Sequence, residues 1–207
     1  MRSDGQRRVI SELIGARIRN STLRLGEALA RWGLTPNLLT AVGLVLNLLV
    51  AAVIASGGLR AGGALLLLAS GFDMLDGAVA RATGTVTKFG GFLDSTIDRY
   101  SESLVYCGVL VYLLGTRDYH LGSLLIIVAM AGSLLISYAR ARAEAAGFRA
   151  SVGLLARPER VLILAVGLLT GYVIPALWIL AIGTHLTVVT RITHVWRLSR
   201  TTEPRAG

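Results

Sequence analysis

Four aspartates stand within a strongly apolar part of the chain: Asp73, Asp76, Asp94 and Asp98, in the stretch FDMLDGAVARATGTVTKFGGFLDSTIDR from Phe72 to Arg99. They are the only acidic residues between Glu27 and Glu102. A carboxylate in a membrane helix costs several kcal/mol unless it is paired, hydrated or bound to a cation. Four of them at close quarters cannot all stay ionised without compensating positive charge, and the one nearby arginine, Arg81, is too little. All-oxygen carboxylate ligation favours a hard cation, Mg²⁺ or Mn²⁺, and a pair of such cations clamps the oxygens of a phosphoryl or diphosphate group. Membrane aspartates also serve as helix–helix hydrogen-bond partners or as steps in a cation or proton pathway. Transport is therefore the alternative of a different class that these residues leave open.

The spacing says what must position them. Asp73, Asp76, Gly77, Ala80 and Arg81 fall at i, i+3, i+4, i+7 and i+8, which is one stripe of a helix. Gly90, Asp94 and Asp98 step by four along the next helix. The short connection ATGTVTKF makes the two helices antiparallel neighbours, and Gly77, Gly90 and Gly91 leave room for a bulky polar ligand at the backbone.

Composition places these helices in a membrane. Hydrophobic residues make up 54% of the 207, charged residues 16%, and the mean hydropathy is +0.65, beyond the range of ordinary soluble domains. The pattern predicts an all-α protein with six spans, at about 37–56, 61–82, 90–114, 120–144, 154–172 and 173–196, separated by Gly- or Pro-bearing breaks. Residues 1–35 read as an amphipathic helix on the cytoplasmic membrane surface, 36–198 as the six-span domain and 199–207 as a tail. No cleavable signal peptide is expected, because the early residues are polar and basic. The net charge of +9 comes from twenty Arg and Lys88. These flank apolar segments, so they suit a membrane better than nucleic acid. Nineteen lie on one side of the expected spans and only Arg60 and Arg117 on the other. By the positive-inside rule both termini, and the aspartates, face the cytoplasm of a cell-membrane protein. Cys107 is the only cysteine and the three histidines are scattered, which excludes a disulfide framework and a Cys- or His-based metal site. Cys107 is expected to pack inside.

The run Asp73, Asp76, Gly77, Ala80, Arg81, Gly90, Asp94, Asp98 resembles, without a gap, the signature of the CDP-alcohol phosphotransferase family, D-x2-D-G-x2-A-R-x8-G-x3-D-x3-D. The six-span layout with a surface helix before the first span resembles that family as well. The resemblance implies a phospholipid-synthesising transferase that displaces CMP from a CDP-linked lipid with an alcohol. It implies two divalent cations held by Asp73, Asp76 and Asp94. Asp98 completes that carboxylate set and acts as the general base on the acceptor hydroxyl. Asp76, Gly77 and Arg81 then contact the nucleotide and its phosphates with Thr87, and TPNLLT places Asn37 and Thr40 near the cytidine. A homodimer is the implied assembly.

A second stretch, SYARARAEAAGFRASVGLLARPER (Ser137 to Arg160), bears on the acceptor. Arg140 and Arg142 end the fourth expected span, Arg157 and Arg160 begin the fifth, and Arg191 lies in the sixth. Several arginines in one place, two of them at a helix N-terminus, suit a phosphate, so a phosphorylated acceptor is expected. This pattern resembles the family members of actinobacteria and archaea that use inositol phosphate, although Arg140 stands where those commonly have Lys. The implied reaction transfers the phosphatidyl group of CDP-diacylglycerol to inositol 1-phosphate, releasing CMP and forming phosphatidylinositol phosphate. Glycerol 3-phosphate is the alternative acceptor.

Overall fold

The computed structural model describes residues 26–202. Most of the surface helix expected over residues 1–35 lies outside them, as do residues 203–207 of the expected tail. Of that segment 26–35 are described, and of these 26–31 are helical. Seven further helices follow: α1 (Pro36–Ala55), α2 (Leu59–Phe72), α3 (Met74–Thr83), α4 (Lys88–Leu114), α5 (Tyr119–Ala145), α6 (Arg157–Thr170) and α7 (Val173–Thr202). There is no strand among the described residues.

The sequence explains where these helices start and stop. Pro36 opens α1, where its missing N–H costs nothing, and the Thr35 hydroxyl accepts from the Leu38 amide at 3.3 Å, as an N-cap does. α3 closes with the Gly84 amide on the Ala80 carbonyl. The second expected span is divided: α2 and α3 are separated by Asp73 alone, whose backbone keeps right-handed helical angles (φ −56°, ψ −21°). The break is thus one residue wide and leaves no trace in the hydrophobic pattern. α7 extends six residues beyond the expected end at 196, to Thr202, with Arg200 stacked on Trp196 at 4.0 Å.

Among the described residues, four helical stretches are long and apolar enough to cross a membrane: Pro36–Ala55, Leu59–Thr83, Tyr119–Ala145 and Val173–Thr201. Of these Leu59–Thr83 has the lowest mean hydropathy, 1.4, because it carries Asp73 and Asp76. The other two expected spans differ for physical reasons. α4 has 27 residues but includes Asp94, Asp98, Arg99 and Glu102. α6 has only 14 residues, about 21 Å of helix against roughly 30 Å of hydrocarbon. Large apolar side chains such as Leu49, Leu68, Leu124, Ile127 and Ile192 are exposed, which fits a multi-pass membrane protein whose outer faces meet lipid. Cys107 is exposed as well, contrary to the packing expected of it.

The chain divides into two compact units. Among the described residues the first comprises 26–46 and 71–100, the second 47–70 and 101–202. In the first, Ala78 and Val79 of α3 are fully buried, and Gly26 lies so close to the Ala78 carbonyl that no side chain would fit. In the second, α7 packs on α5 and α6 around Ile126, Ala129, Leu168, Leu177 and Leu180, with Tyr106 and Ser133 placing their hydroxyls 3.4 Å apart inside.

Candidate active site

The first unit contains a cavity of about 570 Å³, within the range of small-molecule sites. Three pieces of chain enclose it. The start of α1 contributes Asn37 and Thr40, α3 contributes Asp76, Gly77 and Arg81, and the turn into α4 with the start of that helix contributes Thr87, Gly90 and Asp94. With Ala80 of α3, nine residues singled out by sequence thus line one space. Thr35, Pro36, Thr85, Val86 and Gly91 line it too. Of these, Thr35 and Pro36 belong to the TPNLLT segment and Gly91 to a Gly-Gly pair, while Thr85 and Val86 carried no sequence signal.

Asp76 is the most enclosed of the carboxylates, 8% exposed. Its Oδ2 accepts from the Thr40 hydroxyl at 2.7 Å and its Oδ1 from the Gly77 amide at 2.5 Å. A carboxylate has about four lone-pair sites, so about two remain to face a cation or polar ligand. Thr40 therefore fixes the orientation of Asp76 from α1, a role distinct from the nucleotide contact that the resemblance implies. Asp73 is half-buried just before α3, and α1 makes space for it: a Cβ on Gly43 would lie 2.6 Å from its Oδ1. Gly43 carried no signal in the sequence, because its partner is thirty residues away.

The Thr87 hydroxyl accepts from the Gly90 amide at 2.9 Å, capping α4 while facing the cavity. Arg81 folds back over Gly77, where a side chain would meet its guanidinium at 3.1 Å. Asp98 is half-buried one turn beyond Asp94, with Arg99 Nη2 at 3.4 Å from its Oδ2. Neither Asp73 nor Asp98 lines the cavity. Among the described residues no three His, Cys, Asp or Glu side chains converge closely enough to hold a cation as they stand. The donor chemistry nevertheless fits one: carboxylate oxygens only, with open lone pairs on Asp76 and clearance at Asp73, suited to Mg²⁺ or Mn²⁺.

The arginines expected to hold a phosphate lie in the second unit and differ sharply in environment. Arg140 and Arg142 are exposed at the end of α5, with Arg140 Nε 2.8 Å from Glu144 Oε1. Arg157 opens α6, half-buried. Arg160 is 2% exposed and donates in bidentate fashion to Glu102, at 2.7 and 2.8 Å, and to the Leu155 carbonyl at 3.2 Å. Arg191 is 6% exposed and donates to the Val152 and Ile136 carbonyls at 2.9 and 2.6 Å. Sequence reasoning missed Glu102. It continues the four-residue step of Gly90, Asp94 and Asp98 along α4, and that periodicity was the available signal.

A helical membrane protein with carboxylates, an arginine and bare glycines around one cavity has the make-up of an integral-membrane enzyme for phosphate chemistry. Residues 33–196 match the family model of CDP-alcohol phosphatidyltransferase; the chain belongs to this family and is a transferase, which sets the transport alternative aside. It is 40% identical over 174 residues to the archaetidylinositol phosphate synthase of Methanothermobacter thermautotrophicus, covering 81% of this chain and 86% of that one. It is 38% identical over 187 residues to the phosphatidylinositol phosphate synthase of Mycobacteroides abscessus, covering 84% and 83%. Its fold is similar to the crystal structure of Mycobacterium tuberculosis phosphatidylinositol phosphate synthase with CDP-DAG bound, with a TM-score of 0.79, 35% identity and coverage of 84% and 93%. A structure of the same mycobacterial enzyme in complex with manganese and citrate matches with a TM-score of 0.79 and 35% identity, covering 84% and 88%.

Proposed function

We propose that this protein transfers the phosphatidyl group of CDP-diacylglycerol to inositol 1-phosphate, releasing CMP and forming phosphatidylinositol phosphate. The observation that carries this reading is the convergence of Asp76, Gly77, Arg81, Gly90 and Asp94 on one cavity with Asn37, Thr40 and Thr87. Relatives of both the archaetidyl and the phosphatidyl kind, all named for inositol phosphate, support the acceptor.

The chain's own groups divide the work. Asn37 and Thr87 flank the nucleotide, Gly77 lets the phosphates approach the α3 backbone, and Arg81 pairs with their charge. Asp73, Asp76 and Asp94 hold two divalent cations, with Asp98 beside them. When bound, these neutralise the diphosphate and favour in-line displacement. Asp98 accepts the proton of the acceptor hydroxyl as its oxygen bonds to the phosphorus that carries the diacylglycerol. The bond from that phosphorus to CMP breaks, and CMP leaves as the monophosphate. Arg140, Arg142 and Arg157 receive the acceptor phosphate, and Arg160 and Arg191 complete the basic field around it. We further propose six membrane crossings, with α4 and α6 as the two additional ones, cytoplasmic termini, a cytoplasm-facing site in the cell membrane, and a homodimer.

Purified protein in detergent, given CDP-diacylglycerol, Mg²⁺ or Mn²⁺ and one acceptor at a time, tests this. Release of CMP with inositol 1-phosphate is expected. Release with glycerol 3-phosphate alone would overturn the acceptor, and the absence of release with any alcohol would overturn the reaction.

A further inference from the structure

The connection between α5 and α6, residues 146–156, has no helix or sheet to hold it, yet parts of it are firmly seated. The Leu155 carbonyl accepts from Arg160 Nη1 at 3.2 Å, and the Leu155 amide donates to the Thr187 hydroxyl at 3.2 Å. That hydroxyl in turn donates to the Gly183 carbonyl at 2.8 Å. Three residues earlier, the Val152 carbonyl accepts from Arg191 Nε, while Arg191 Nη1 reaches the Ile136 carbonyl, one turn before Arg140. Between these ties Gly153 has φ +127°, and a Cβ there would press into the Thr187 methyl. Only glycine accepts both conditions.

The tie through Arg160 depends on one acid. Arg160 is 2% exposed, and its Nε and Nη2 are held by the two oxygens of Glu102, whose side chain is 10% exposed. A guanidinium so buried needs a paired carboxylate to remain where it is. The bidentate fork also fixes its plane, and with it the direction of Nη1 toward Leu155. Glu102 lies four residues after Asp98 in α4.

We infer that Glu102 is a positioning residue for the acceptor site, acting through Arg160 on the Leu155 carbonyl to set the connection that joins Arg142 to Arg157. This rests on the reading that the arginines at the two ends of this connection hold the acceptor phosphate. Glu102 itself touches no substrate. Its replacement loosens the seat of the acceptor phosphate and leaves the donor cavity, built from other residues, as it was.

The test is steady-state CMP release by the full-length protein in detergent, using whichever phosphorylated acceptor supports turnover by the unaltered protein. KM is measured separately for acceptor and for CDP-diacylglycerol. Glu102→Gln is expected to raise the acceptor KM about tenfold or more while the donor KM stays within about twofold. Glu102→Asp should recover part of the loss. Thr187→Val, which removes the partner of the Leu155 amide, should move the acceptor KM in the same direction and decides the matter if Glu102→Gln does not fold. An unchanged acceptor KM in folded variants overturns the inference. So do acceptor and donor KM values that rise together in step with lost thermal stability, since a merely structural residue would do that. Arg142→Gln serves as the control. A raised acceptor KM there, with normal values in Glu102→Gln and Thr187→Val, sinks this inference alone. No effect in Arg142→Gln sinks the phosphate reading beneath it, and the inference with it.

Discussion

At the scale of single residues, the aspartates sit in unequal surroundings. Asp76 is clamped by Thr40 and by the Gly77 amide, so it enters a reaction already oriented. Thr40→Val, which keeps the shape and removes the hydroxyl, is expected to weaken Mn²⁺ binding roughly 10- to 100-fold. Titration of the purified protein followed by the electron paramagnetic resonance of free Mn²⁺ would measure it, and an unchanged affinity would count against the orienting role. Asp98 predicts the opposite split. Asp98→Asn should lower CMP release by roughly 10² to 10⁴, the usual worth of a general base, while CDP-diacylglycerol still raises the melting temperature of the variant. Turnover that persists would remove Asp98 as the base. The arginines show where residue-level reading of the sequence ends. A phosphate ligand and a helix-to-loop anchor both call for an arginine near a helix end, so nothing local separates Arg142 from Arg160. Burial and the identity of the partner do, and Glu102 is 58 residues away from Arg160 in the chain.

Among the elements, the most legible features were those with local causes. Pro36 and the Thr35 cap place the start of α1, and the carboxylate spacing of α3 and α4 follows from helical geometry. The one-residue break at Asp73 was not legible, since its backbone angles stay helical. Nor was the clearance at Gly43, which depends on which helix α3 meets. Clearance of this kind makes a sharp prediction. A Cβ at position 43 would crowd the Asp73 carboxylate, so Gly43→Ala is expected to reduce both Mn²⁺ affinity and turnover, with little change in the helical circular dichroism signal. Normal metal binding in that variant would show that Asp73 has room elsewhere. The Thr87 cap carries a milder cost: Thr87→Ala should destabilise the start of α4 by about 1 kcal/mol, read as a lower melting temperature and a raised KM for CDP-diacylglycerol. Thr87→Ser should restore both, because it keeps the hydroxyl that the Gly90 amide uses.

For the molecule as a whole, the distribution of arginines and the lengths of the helices argue about the membrane from different directions. In the proposed arrangement, charge asymmetry assigns sides to segments that hydropathy alone leaves out, namely α4 with its acids and the short α6. The six-crossing arrangement predicts which positions a membrane-impermeant maleimide can reach. With Cys107 replaced by Ser, single cysteines at Arg60 and Arg117 should be labelled in intact cells. One at Arg200 should be labelled only after the membrane is opened. Labelling of all three from the same side would overturn the arrangement.

The chain passes from one compact unit to the other within helices. The boundaries, at 46/47, 70/71 and 100/101, fall inside α1, α2 and α4. A chimaera that exchanges one unit with a relative must therefore be spliced in the middle of three helices, where each inserted or deleted residue turns everything beyond it by about 100° around the helix axis. Exchange of sequence across those joints in this chain thus keeps the helical phase only at constant length. Insertions are to be sought in the connections, where no helical phase has to be kept.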